Sequence, residues 1–192
     1  MYGMLNPLTD QMRRSILFSK ERGGGSVLNP ELIQEAKNAI LSTQSGYPQR
    51  SVIYYGECRS EKMELLNCIE SMANAVGALC CRVDTSSFKK TFIEDAMNLL
   101  KNDIEYWLLT DLTDILVCIG KSAKRSKKVV CFLSADLHLL STKDLGELIS
   151  AIHRCNQLRL PIILFGTGHT KILRSAGNAR SYAERLFEFR EI

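Results

Sequence analysis

The segment Lys127–Lys128–Val129–Val130–Cys131–Phe132–Leu133 constrains the fold more than any other part of the chain. Its apolar residues run unbroken, whereas a strand with one wet face alternates apolar and polar residues. An unbroken run is what a strand buried on both faces requires. Pro161 to Phe165 reads the same way and ends at Gly166, and Ser51–Val52–Ile53–Tyr54–Tyr55 is a short β-rich run that ends at Gly56. ALCCRV over 78–83 is a further strand.

Helical patterns separate these strands. Met63, Leu65, Leu66, Ile69, Met72, Ala73 and Val76 fall on one face of a helix, as do Leu145, Leu148, Ile149 and Ile152 in a helix over 142–157. Phe88 to Leu100 and Ile104 to Ile119 read as two more, with short helical pieces near 170–175 and 178–187 and an edge strand over Phe187 to Ile192. Strands alternating with helices predict an α/β fold in three layers, a parallel sheet flanked by helices. Ligands of such sheets bind at the carboxyl ends of the strands. Those ends are Gly56, Leu133 to Asp136, and Gly166 to Gly168.

Residues 1–28, with Pro7 and the run Arg22 to Ser26, read as a flexible N-terminal segment. Residues 29–50 read as a helix and its connection, with Asn29 as N-cap and Pro30 as first helical residue. Residues 51–192 form the α/β domain. A chain of 192 residues with 45% hydrophobic and 24% charged residues is neither disordered nor fibrous. A net charge of +4 does not by itself imply a polyanionic partner. The seven cysteines include no C-x-x-C pair, and several sit inside apolar runs, which with the missing signal-peptide pattern suggests a reducing compartment. No segment is long and apolar enough to span a bilayer, so the expectation is a cytoplasmic protein.

The first strand opens into GECRSEKMELLN. The phosphate-loop pattern G-x-x-x-x-G-K-[ST] belongs between a strand and a helix. Gly56 takes its first position and Lys62 that of the lysine, but Glu61 stands for the second glycine and Met63 for Ser or Thr. A second glycine lets backbone N–H groups face the phosphates, and Glu61 puts a Cβ and a negative charge there instead. A thioether is a poor ligand for a hard cation such as Mg²⁺. The segment reads either as a surviving phosphate site, with Lys62 aided by the helix dipole, or as an ordinary β–α turn followed by an exposed lysine.

The strand KKVVCFLSADLHLLS matches a hydrophobic strand that leads into two acidic residues, one for Mg²⁺ and one for the attacking water. Ala135 takes the first acidic position and Asp136 the second; a shift of one residue puts Asp136 first and Leu137 second. One carboxylate is missing in either register. Asp136 reads either as this surviving acid or as a cap for the following turn.

The stretch ARSYAERLFEFREI (179–192), supported by LLSTKDLGELISAIHRCNQLRLPIILFGTGHTKILRSAG and KMELLNCIESMA, resembles bacterial AAA+ ATPases related to the origin-recognition type. The resemblance covers about residues 50–192. It implies a P-loop ATPase domain in which Gly56, Arg59, Ser60, Glu61, Lys62 and Met63 form the phosphate loop. Asp136 would hold the catalytic, water-activating position and Thr167 would lie near the sensor position. It also implies ATP as ligand, with Mg²⁺ held weakly or not at all and no metal ligand set of this chain's own. Arg180 or Arg185 would reach a neighbouring subunit, or else pair with Glu184 or Glu188. Family members continue into a helical lid, and the chain ends at Ile192.

Lys121, Lys124, Arg125, Lys127 and Lys128 form a basic run, read as a solvated loop or as a nucleic-acid contact with little aromatic interleaving. His138, His153 and His169 show no metal-ligand spacing, and no base accompanies Cys58. Altered residues at the chemical positions, beside an ordinary core, predict a non-hydrolysing interaction or regulatory module. Its expected partner is a protein, an AAA+ relative or a second copy. The alternative is an ATP-binding domain with weak hydrolysis.

Overall fold

The computed structural model describes residues 29–87 and 111–192. In chain order they form α1 (Pro30–Gln44), β1 (Ser51–Tyr55), α2 (Arg59–Ala75), β2 (Leu79–Val83), α3 (Leu112–Arg125), β3 (Val130–Ser134), α4 (Thr142–Gln157), β4 (Ile162–Gly168), α5 (Lys171–Ala179), α6 (Ala183–Leu186) and β5 (Phe187–Glu191). The helix read over Phe88 to Leu100 lies outside the described residues, as does the segment 1–28.

The five strands make one sheet in the order β2-β3-β4-β1-β5, and every pair is parallel. Alternate residues of each strand feed opposite faces. Val130 and Phe132 pack with residues of α3, α4, α5 and α6. Cys131 and Leu133 pack with Ile33, Ala36 and Ile40 of α1 and with Leu65, Leu66 and Ile69 of α2. Two separate apolar cores, one per face, are the physical reason that the β3 run has no polar break. At about 25 cal/mol per Å² of apolar surface, this double burial is the main favourable term in folding.

Local signals set most boundaries. Asn29 accepts the Glu31 N–H at 2.9 Å with Pro30 as the first helical residue, a cap worth about 1 kcal/mol. Ser141 caps α4 through the Asp144 N–H. Of the helix expected over Ile104 to Ile119, residues 104–110 lie outside the described residues. Asp111 is extended (φ −100°, ψ 132°) and its carboxylate accepts the Thr113 N–H, so the helix starts at Leu112 and runs to Arg125. Lys121, Lys124 and Arg125 are therefore helical rather than loop residues. The strand read to Phe165 continues to Gly168, because β1 carries its register through Tyr55↔Gly168.

Gly120 lets α3 settle on the turn before β4: a Cβ there would lie 2.7 Å from Leu160 Cβ. Cys58, Cys68, Cys80, Cys118, Cys131 and Cys155 are free thiols. No helix among the described residues is long and apolar enough to cross a membrane.

Candidate functional site

The carboxyl ends of β1, β3 and β4 lie side by side, as the register Ser134↔Gly166 and Tyr55↔Gly168 requires. Gly56 to Met63, Asp136 and Thr167 all fall at this edge. The β1–α2 connection is short: Gly56, Glu57 and Cys58 alone separate Tyr55 from Arg59. Arg59, Ser60 and Glu61 are already wound into α2. Their N–H groups therefore point along the helix axis, in the manner of a helix N-terminus, rather than forming a wide loop. Cys58 makes no side-chain cap; its Sγ lies 3.1 Å from Ser60 Oγ.

Lys62 is not an exposed helix lysine. It is 3% exposed, and its Nζ donates to the carbonyls of Gly56 and Gly168 (3.0 Å to the latter), one from each strand end. A buried ammonium needs such acceptors, since desolvating it unpaired is costly. The Gly56 N–H also donates to Gly168 O at 3.3 Å. Met63, expected on the inner face of α2, is only half-buried, because Lys62 takes the buried position beside it.

Asp136 does not cap the following turn with its side chain. It sits in the left-handed region (φ 55°, ψ 39°) with its carboxylate turned to α2, where Oδ2 accepts Arg59 Nε at 3.0 Å. Its own N–H donates to Thr167 Oγ1 at 3.3 Å, with Thr167 1% exposed and opposite Tyr54. Ala135 is half-buried against the α1–α2 core. The structure thus brings Arg59, Lys62, Asp136 and Thr167 together.

Sequence reading missed the part played by Glu57 and the two histidines. Glu57 Oε2 meets His169 Nε2 at 2.8 Å, and the His169 N–H donates to His138 Nδ1 at 3.2 Å. Burial pushes the His138 pKa down, the nearby Lys62, His169 and Lys171 add to that, and Asp136 opposes it. These contacts span more than thirty residues of chain, as the separation of 31 for His138 and His169 shows, so no local pattern announces them.

Two glycines owe their place to packing. A Cβ on Gly56 would lie 2.1 Å from the carbonyl oxygen of Ile192, whose N–H donates to Tyr55 O. A Cβ on Gly166 would lie 2.2 Å from Leu137 Cδ1. Of the arginines, Arg180 lies on α4, bonding Ser150 Oγ at 3.0 Å and Ala179 O at 2.9 Å. Glu188 pairs with Arg190, and among the described residues no ion pair joins Arg180 or Arg185 to Glu184 or Glu188.

Chemically, this edge offers the carboxylates of Asp136, Glu57 and Glu61, one buried ammonium and an uncapped helix N-terminus. No group of three or more His, Cys, Asp or Glu among the described residues has metal-binding geometry. The Asp136 carboxylate is already engaged by a guanidinium.

No protein-family model matches the chain, and no curated protein matches it. Solved structures do. A Drosophila ORC bound to AT-rich DNA and Cdc6 aligns with TM-score 0.61 at 10% identity, covering 100% of this chain and 34% of that one. Cdc6p from Pyrobaculum aerophilum aligns with TM-score 0.57 at 13% identity over 91% of this chain and 48% of that one. AMPPCP-bound DnaA from Aquifex aeolicus aligns with TM-score 0.56 at 16% identity over 99% and 51%. At these identities the likeness is one of fold: the five-stranded parallel sheet and its flanking helices match the AAA+ P-loop ATPase fold of these structures. The chain spans about a third to a half of the length of the proteins it matches.

Proposed function

We propose that this chain is an AAA+-type domain kept as a non-hydrolysing interaction or regulatory module, its phosphate-binding edge held shut by its own side chains. The observation that carries the reading is the pair of hydrogen bonds from Lys62 Nζ to Gly56 O and Gly168 O. The group that a P-loop would aim at phosphate is turned to carbonyls of the two strand ends, which take two of its three N–H donors. Arg59 holds Asp136, so the remaining acid is not free to orient water. Glu57 and Glu61 add negative charge where a polyphosphate would sit. In-line attack on a γ-phosphate needs a metal clamp and a positioned water, and here Ala135 stands beside Asp136 in place of a second acid and Met63 stands where the cation's hydroxyl would be. The partner of such a module is a protein, an intact ATPase of the same fold or a second copy.

A second reading, nucleotide binding with weak turnover, draws support from the uncapped α2 N-terminus, a ready anion site. It also draws on the AMPPCP carried by the similar DnaA structure.

Thermal unfolding with and without Mg-ATP separates the two. A ligand of the native state raises the midpoint by mass action, by roughly 2.7 kcal/mol of stability at a hundredfold excess over Kd. The proposal expects no shift at millimolar Mg-ATP in the wild type. A rise that is lost in Lys62→Ala overturns it in favour of the second reading.

A further inference from the structure

The net charge of +4 conceals a segregation of charge. Ile115 to Ala135 and Leu148 to Ala183 contain ten Lys and Arg residues and no Asp or Glu. The fold brings six of those cations to one place, away from the phosphate-like edge. α3 and α4 both end at the amino-terminal edge of the sheet, where they turn into the neighbouring strands β3 and β4. The two turns touch: Gly120 packs on Leu160, the Val130 N–H donates to Pro161 O at 2.9 Å, and Lys124 Nζ donates to Arg159 O at 3.4 Å.

Lys124, Arg125, Lys127, Lys128, Arg154 and Arg159 are all exposed there. None has a carboxylate partner among the described residues. Lys127 and Arg159 occupy equivalent left-handed positions (φ 54° and 50°) just beyond the two helix ends. Each helix C-terminus contributes about half a negative charge, which leaves most of the six cations uncompensated.

From this patch we infer a docking surface for a nucleic-acid duplex, contacted through its phosphate backbone without base readout. Charge complementarity selects a polyanion. The absence of an apolar anchor selects against a protein: the exposed large apolar residues among those described, Leu41, Tyr47, Leu139 and Leu173, lie on neither turn. Protein interfaces draw most of their energy from buried aromatic and Arg anchors in pockets. Single strands are held by stacking on aromatics, and the two turns offer none. Backbone phosphates need only cations. This inference is independent of the fate of the phosphate-like edge.

Fluorescence anisotropy of a labelled mixed-sequence duplex of about 30 base pairs tests it, because four to six neutralised phosphates give a salt slope of about −4 to −5. Affinity is expected to fall on the order of 10²–10³-fold between about 50 and 200 mM salt. Lys127→Glu with Lys128→Glu is expected to weaken binding at the lower salt on the order of 10–100-fold and to flatten the slope by about 2. Arg154→Glu, which alters neither turn, weakens it in the same direction. Lys143→Glu with Arg174→Glu, an equal charge change elsewhere, leaves binding near wild type; the unfolding midpoints of all variants check that they fold. Three results would overturn the inference: no binding at low salt, equal weakening by the two double variants, or displacement of the duplex by polyglutamate at equal charge concentration.

Discussion

Arg59 Nε and Asp136 Oδ2 lie 3.0 Å apart, joining the first turn of α2 to the second residue beyond β3 across 77 positions of sequence. The guanidinium side is largely exposed (73%) and the carboxylate side is not (13%). Such a pair fixes geometry more than it stabilises, since solvent screening limits exposed ion pairs to about 0–1 kcal/mol. Arg59→Ala is therefore expected to lower stability by less than about 1 kcal/mol in chemical denaturation. A loss above about 3 kcal/mol would show the pair behaving as a buried one.

Lys62 stands at the opposite extreme. Removing its ammonium leaves the Gly56 and Gly168 carbonyls without that donor and empties the space its stem fills. Lys62→Ala is expected to cost about 2–4 kcal/mol, from the 1–3 kcal/mol of each buried unsatisfied group. Lys143→Ala, at an exposed position, stays within about 0.5 kcal/mol. Urea denaturation of both variants checks the contrast, and equal small effects would mean that Lys62 is not held as described.

Gly56 is fixed by the backbone of Ile192. A Cβ 2.1 Å from the Ile192 carbonyl oxygen meets main chain, not a side chain that can rotate away. Gly56→Ala is expected to destabilise by about 1–3 kcal/mol, the usual cost of overpacking. Gly77→Ala, with open space but φ 81°, is strained for a different reason and does not depend on Ile192. Adding Ile192→Gly leaves the Gly56→Ala cost in place, because the clash is with backbone; a rescue by Ile192→Gly would show that the side chain was responsible.

The His138 pKa is lowered from the ordinary 6.5, mainly by burial. The folded state therefore binds this proton less readily than the unfolded state. Its contribution is full above about pH 6.5 and is lost as pH falls below that value. Protonation also removes the Nδ1 acceptor used by the His169 N–H. His138→Asn keeps an acceptor without the titration. The expected result is a wild-type melting temperature that falls more steeply than the variant's between about pH 6.5 and 5. Parallel curves would refute the assignment.

How far these features can be read from sequence follows from how local each one is. The β3 and β4 runs announce burial on both faces because every residue in them is apolar, and Asn29–Pro30 announces the α1 start because cap and first turn are adjacent. The apolar spacing of Ile104 to Ile119 does not show the break at Asp111, whose extended backbone and capping bond open α3 at Leu112. Gly56, Lys62, Asp136 and Thr167 were marked by position in a pattern. Their bonds were not legible: Lys62 to Gly168 and Arg59 to Asp136 depend on strand ends that only the assembled sheet brings together. Lys62 falls in the buried phase of α2, three and four residues before Leu65 and Leu66, and the carbonyls that receive its ammonium are what make a lysine tolerable there.

The strand order has a consequence for how the chain is made. β1 is the first strand in sequence, yet its neighbours are β4 and β5, and the Leu164 N–H to Ser51 Oγ bond closes a span of 113 residues. At a synthesis rate of about 5–20 residues per second, Ser51–Tyr55 waits roughly 5–20 seconds on the ribosome before a partner exists. During that interval an apolar strand has two open edges, while α1 and α2 are at hand to cover the face that carries Val52 and Tyr54.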